Sequence, residues 1–88
     1  MQNPIALEIL SKKDCPLCDE AKEVVENVLT DYPQISLAIT DIESDAELFA
    51  AYKEKIPVIR INNTDRFIYK VHPVTLRKNL DLLLNRDE

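Results

Sequence analysis

The chemistry of this chain centres on Cys15 and Cys18, which are the only two cysteines among its 88 residues. They follow an apolar run, Ile5 to Leu10, and they open a helical pattern that continues toward Thr30. Two thiols at this spacing at the head of a helix can close a disulfide, because their sulfur atoms come within bonding range. The unpaired N–H groups of a helix N-terminus also lower the pKa of a thiol and favour the reactive thiolate. The pair therefore predicts a small thiol–disulfide redox protein.

Composition and charge limit the classes of protein to which the chain can belong. A length of 88 residues predicts one domain, spanning residues 1–88. The 16 acidic and 11 basic residues give a net charge of −5, which argues against nucleic acid or an anionic membrane as the main partner. The sequence contains no glycine, so it cannot form the glycine-rich loops that bind dinucleotides or phosphates.

The sequence also predicts a compartment. No apolar run approaches the roughly 20 residues that a membrane-spanning helix needs. Residues 1–4 lack the basic region and long apolar stretch of a secretory signal, and two cysteines are too few for the disulfide framework of a small secreted domain. We therefore expect a cytoplasmic protein, in which a Cys-x-x-Cys pair is more often catalytic than structural.

The single histidine limits the alternatives for the cysteine pair. A structural zinc site needs about four ligands, which two cysteines and His72 do not supply, so we predict no metal. His72 stands just before Pro73, a position that suits the junction of a strand and a helix better than a catalytic base.

The elements that position the cysteine pair can be predicted from its neighbours. Apolar residues on both faces of the run Ile5 to Leu10 predict a first strand covered on both sides. Pro16 suits the first turn of a helix, where its missing N–H leaves no hydrogen bond unmade, and Pro33 stops that helix. The side of this helix predicted to be buried comprises Cys18, Ala21, Val24, Val25, Val28, Leu29 and Tyr32.

A second strand and a second helix follow. Alternating apolar residues predict the strand over residues 35–41. Ser44 and Glu47 have the spacing of a capping box, in which each side chain satisfies a backbone N–H of the other. The helix behind them ends before Pro57, and we expect it to bury Leu48, Phe49 and Tyr52.

The remaining sequence predicts a hairpin and a last helix. Val58 to Ile61 and Phe67 to Val71 read as a third and a fourth strand. Between them, Asn62 to Asp65 reads as the connection, because asparagine adopts the positive φ that glycine usually supplies. Pro73 opens a helix whose apolar stripe comprises Leu76, Leu80, Leu83 and Leu84.

The resulting order is β-α-β-α-β-β-α. The first two strands should be parallel, with a right-handed crossover, and the last two should form an antiparallel hairpin. We therefore predict an α/β protein with a four-stranded mixed sheet and helices on both faces.

This order resembles the thioredoxin fold, because the cysteine pair lies between the first strand and first helix and Ile56-Pro57-Val58 leads into the third strand. The Cys-Pro-x-Cys form of the motif and the short segment before the first strand resemble the glutaredoxin-like branch. Within that branch, the run from Cys15 to Ala21 is most similar to a set of small bacterial glutaredoxin-like proteins.

The resemblance implies roles for the matching residues. Cys15 would be the nucleophile that attacks a substrate disulfide, and Cys18, more buried, would resolve the mixed disulfide. Pro57 would be a cis-proline, and the backbone of Ile56 would contact the substrate chain. Lys12 or Lys13 stands where glutaredoxins often carry a lysine that contacts a glutathione carboxylate.

The chain also departs from the glutaredoxin pattern. Residues 71–75 lack the glycine pair and the acid that hold glutathione, and Asp14, Asp19 and Glu20 surround the motif with negative charge. We therefore predict no resident cofactor. We expect a monomer that acts on protein or small-molecule disulfides, with glutathione or a thioredoxin-reductase-type protein as reductant.

Two other functions remain open. The missing glutathione residues and the acidic surroundings also fit a thioredoxin-fold binding module or electron carrier, dedicated to one partner and with little general activity. Iron–sulfur cluster binding across a dimer is the third hypothesis, but cluster-binding relatives generally have one cysteine followed by Gly-Phe-Ser, which this sequence lacks.

Overall fold

A computed structural model describes residues 5–85. Residues 1–4, on which the expectation of no secretory signal rests, lie outside this range. No helix within the range is long and apolar enough to cross a membrane. The elements follow the predicted order: β1 (Ala6–Ser11), α1 (Pro16–Leu29), β2 (Ser36–Asp41), α2 (Ala46–Tyr52), β3 (Val58–Ile61), β4 (Thr64–Ile68) and α3 (Pro73–Leu84).

The four strands form one mixed sheet in the order β2-β1-β3-β4. Strand β1 runs parallel to β2 and antiparallel to β3, and β4 completes an antiparallel hairpin with β3. The predicted mixed sheet is therefore confirmed. Because β1 has a neighbour on each side and helices over both faces, its apolar residues point in both directions.

Two hydrophobic cores lie on opposite faces of the sheet. Leu7 and Ile9 of β1 face α1 and α3, where Val25, Leu76 and Leu80 are completely buried. Side chains alternate along a strand, so Leu10 and Val58 point to the other face. There they belong to a second core, which comprises Leu10, Cys18, Ile42, Ile56 and Val58.

The predicted capping box of Ser44 and Glu47 is wrong, because another residue caps α2. Asp45 caps this helix, and its Oδ1 accepts hydrogen bonds from the N–H groups of Glu47 (2.8 Å) and Leu48 (3.2 Å). The Ser44 hydroxyl instead donates to the carbonyl of Asp41 (2.6 Å), because a 3-10 turn at 42–44 precedes the helix. The expected burial of α2 is confirmed only in part: Leu48 and Tyr52 are half-buried against the second core, whereas Phe49 is 37% exposed.

The hairpin turn is shorter than predicted. Asn62 and Asn63 have φ values of 52° and 67°, as expected for asparagine in a two-residue turn that needs positive φ at both positions. Thr64 and Asp65, predicted to lie in the connection, pair with β3. Strand β4 therefore begins earlier than predicted and ends at Ile68, so Val71 lies in the connection to α3.

We expect the corrected cap to be measurable. Asp45→Ala should lower the free energy of unfolding by about 1 kcal/mol, because it leaves two helix N–H groups without their acceptor. Ser44→Ala is the matched control and should cost less, since its hydroxyl binds no N–H of α2. Urea denaturation followed by circular dichroism measures both. A larger loss for Ser44→Ala than for Asp45→Ala would contradict the assignment.

Candidate active site

Cys15 and Cys18 form a disulfide at the beginning of α1, with their Cα atoms 5.2 Å apart. Cys15 is the N-cap of the helix and has extended backbone angles, and Pro16 occupies the first turn. The Sγ of Cys15 accepts a hydrogen bond from the N–H of Cys18 at 3.2 Å. A sulfur atom thus takes the place of the oxygen that usually caps a helix.

A tight turn connects β1 to Cys15, the N-cap of α1. Strand β1 ends at Ser11, and Asp14 has a φ of 56°, in the left-handed region that aspartate tolerates better than most residues. The turn leaves the side chains of Lys12, Lys13 and Asp14 exposed. Lys12 and Lys13 therefore lie next to the cysteine pair, but their contact with glutathione stays a prediction.

The two cysteines differ in accessibility. Cys15 is half-buried, whereas Cys18 is only 4% exposed and belongs to the second core. The expectation that Cys18 is the more buried residue is confirmed. An attacking reagent or substrate therefore reaches the sulfur of Cys15 first.

The segment before β3 lies against the cysteine pair. The Ile56–Pro57 peptide bond is cis, as predicted, and both residues are buried. Ile56 shares the second core with Cys18, and Cys15 packs against the same core. The structure therefore brings together Cys15, Cys18 and Ile56, three of the residues singled out from the sequence.

His72 lies at the start of α3, as predicted. It is the exposed N-cap of this helix, and its side chain makes no capping hydrogen bond. Its carbonyl accepts a hydrogen bond from the N–H of Leu76 at 2.9 Å. The residue therefore marks the beginning of a helix, as its position before Pro73 indicated.

Tyr69 binds the segment before β3, and no pattern in the sequence indicated this role. Its φ is 71°, and the N–H of Lys70 donates to the carbonyl of Ile68 at 2.8 Å, so Tyr69 is the centre of a γ-turn with positive φ, a rare and strained conformation. A residue held in such a sparsely populated backbone region costs on the order of 1–3 kcal/mol. No sequence rule places a tyrosine there, because glycine and asparagine are the residues that usually mark positive φ.

Both hydrogen-bond donors of Tyr69 bind the segment that carries the cis bond. Its N–H donates to the carbonyl of Pro57 at 2.8 Å, and its hydroxyl donates to the carbonyl of Glu54 at 2.6 Å. Beside the cysteine pair, Tyr69 also helps to line a shallow depression between α1 and the connection to α3. The other residues around the depression are Leu17, Glu20, Ala21, Val24, Lys70 and Val71.

None of the residues of α2 is fully buried. Polar contacts therefore help to hold this helix over the second core. The hydroxyl of Tyr52 donates to the carboxylate of Asp65 at 3.0 Å, and Arg60 binds the same carboxylate at 3.0 Å and Glu8 at 3.4 Å. Burial, and then the hydrogen bond to Asp65, raise the pKa of Tyr52 above its ordinary value. Leu48 and Tyr52 also pack against the second core, so α2 covers the sheet beside the disulfide.

Comparison with known proteins identifies relatives over most of the chain. The sequence pattern of a glutaredoxin-like domain family (DUF836) matches residues 6–81. The X-ray structure of a structural-genomics target protein, XcR50, from X. campestris is similar with a TM-score of 0.70 and 28% sequence identity. That similarity covers 85% of this chain and 95% of the other.

Two thioredoxins share the fold. Mitochondrial thioredoxin 3 from Saccharomyces cerevisiae, in its oxidized form, gives a TM-score of 0.68 at 13% identity, over 91% of this chain and 79% of its own. Fasciola hepatica thioredoxin gives 0.64 at 16% identity, over 93% of this chain and 83% of its own. The predicted thioredoxin-like fold is therefore confirmed.

The difference in burial predicts which thiol reacts first once the disulfide is reduced. Iodoacetamide should modify Cys15 about tenfold faster than Cys18 or more, because alkylation needs both access and thiolate character. Peptide mapping by mass spectrometry after a limiting pulse of reagent measures the two rates. The Cys15→Ser variant serves as the control, and its Cys18 should stay slow. Equal rates in the wild-type protein would contradict the assignment.

Proposed function

The chain belongs to the glutaredoxin-like domain family, and we propose that it is a thiol–disulfide oxidoreductase that cycles Cys15 and Cys18 between a dithiol and a disulfide. The observation that carries the proposal is the disulfide itself at the start of α1, with the more accessible sulfur at the head of the helix. The thioredoxin-like fold and this cysteine pair support a redox-type function.

In the proposed reaction, Cys15 is the nucleophile. Its thiolate attacks one sulfur of a substrate disulfide, a new sulfur–sulfur bond forms, and the other substrate sulfur leaves as a thiolate that takes a proton from water. In the disulfide form, the Cys15 sulfur already accepts the N–H of Cys18. The same N–H and the positive end of the helix would stabilise a negative charge on that sulfur.

Cys18 completes the reaction as the resolving residue. Its thiolate attacks the Cys15 sulfur of the mixed disulfide, which restores the disulfide seen in the structure and releases the reduced substrate. Two electrons have then passed from the protein dithiol to the substrate. An external dithiol, or two thiols, must return two electrons before the next cycle.

Ile56 and Pro57 are proposed to contact the substrate. Ile56 shares the second core with Cys18, and Cys15 packs against that core. Pro57 follows Ile56 through the cis bond, so a chain joined to Cys15 through a mixed disulfide would run past both residues. Lys12 is proposed to contact the carboxylate of glutathione when glutathione serves as reductant. Its exposed position in the turn before Cys15 leaves its ammonium group accessible.

A second function, a carrier dedicated to one partner, is favoured by the beginning of α3. The first turn of this helix contains no acidic residue, whereas glutaredoxins usually place a glutathione-binding acid in this region. A carrier of this kind would use the same cysteine pair but would show little activity with glutathione.

Single cysteine variants test the proposed reaction. With dithiothreitol as the reductant, the wild-type protein should accelerate the reduction of insulin and of a small disulfide. Cys15→Ser should reduce the rate to that of dithiothreitol alone, because the nucleophile is missing. Cys18→Ser is the matched substitution three residues further on. When its reduced form is mixed with the substrate disulfide in the absence of dithiothreitol, it should accumulate a mixed disulfide on Cys15 that mass spectrometry detects.

The same assays separate the two functions. Full activity of Cys15→Ser would overturn both of them. A wild-type protein that is inactive with glutathione and insulin, together with a Cys18→Ser variant that traps one partner protein through Cys15, would favour the dedicated carrier.

A further inference from the structure

Tyr69 uses both of its hydrogen-bond donors on one short segment. The carbonyls that it binds belong to Glu54 (2.6 Å) and Pro57 (2.8 Å). Only Lys55 and Ile56 lie between them, so one residue fixes the two ends of this segment. The segment links α2 to β3 and carries Ile56, which packs in the second core with Cys18.

The conformation of Tyr69 indicates that this arrangement is not incidental. A strained backbone persists only where the surrounding contacts determine it, and such residues cluster at functional sites. The γ-turn at Tyr69 turns the chain immediately after β4, which directs the N–H toward Pro57 while the hydroxyl reaches Glu54. The side chain of Tyr69 is half exposed, so burial of the ring alone does not account for its position.

We propose that Tyr69 is a positioning residue of the redox site, which holds residues 54–57 in place to receive the peptide chain of a substrate joined to Cys15. This role rests on the proposed function. Tyr69 does not touch the sulfur atoms in any hydrogen bond of the described residues. It acts on the substrate chain through Ile56 and Pro57, and it leaves the reactivity of the Cys15 thiolate unchanged.

The test compares two probes with one leaving group in the Cys18→Ser variant, where the mixed disulfide on Cys15 is stable. One probe is a cysteine-containing peptide joined through its thiol to thionitrobenzoate. The other is 2-mercaptoethanol joined to the same group. Attack by Cys15 releases coloured thionitrobenzoate from both, but only the first probe brings a peptide chain to residues 54–57.

In the Cys18→Ser parent, the further substitution Tyr69→Phe removes the hydroxyl and its hydrogen bond to Glu54. It keeps the aromatic ring and the backbone N–H. We expect it to slow the reaction with the peptide probe about three- to tenfold, the effect of losing one hydrogen bond, and to leave the small probe unaffected. Tyr32→Phe is the matched control, because the Tyr32 hydroxyl donates to Asp81 at 2.7 Å, near the far end of α1. It should change neither rate.

Hydrogen exchange at the Lys55 amide, which donates to the carbonyl of Tyr52 at 2.8 Å, gives a readout that does not depend on activity. The exchange should be faster in Tyr69→Phe and unchanged in Tyr32→Phe. Equal slowing of both probes, no slowing of either, or unchanged exchange at Lys55 would each overturn the proposed role. A Cys18→Ser parent that reacts with neither probe would instead overturn the proposed function, and this role with it.

Discussion

The hydrogen bond from the N–H of Cys18 to the sulfur of Cys15 is the contact on which the site depends. It makes the sulfur of Cys15 the cap of a helix, so the start of α1 and the position of this sulfur are fixed together. Pro16 suits this arrangement because the first turn of a helix does not use its missing N–H. The left-handed Asp14 then sets the direction in which the chain arrives from β1.

The second core connects this site to the rest of the fold. Cys18 and Ile56 are members of that core, and Cys15 packs against it, so the same packing that stabilises the sheet also holds the disulfide against the cis-proline segment. Tyr69 binds both ends of that segment, at Glu54 and Pro57, by hydrogen bonds. The accessible sulfur therefore lies beside a segment that is held by core packing and hydrogen bonds, which favours a defined approach for a partner chain.

Features that depend on periodicity and on spacing could be predicted from the sequence. Features that depend on the conformation of a single turn could not. The buried stripe of α1 and the cysteine pair followed from regular patterns, and the cis-proline followed from the resemblance. The capping box failed because Ser44 and Asp45 are both good caps, and only the preceding 3-10 turn decides between them. Tyr69 could not be found, because its left-handed conformation depends on contacts with residues 12 and 15 positions earlier in the chain.

The most direct test is whether Cys15 and Cys18 form a reversible two-electron redox pair. The protein would be equilibrated in buffers of reduced and oxidised glutathione or dithiothreitol, alkylated, and its dithiol and disulfide forms would be quantified by mass. We expect one transition, with a tenfold change in equilibrium constant per roughly 30 mV, at a potential between about −270 and −120 mV. A pair that stays in one form throughout, or that yields only single glutathione adducts, would contradict the account.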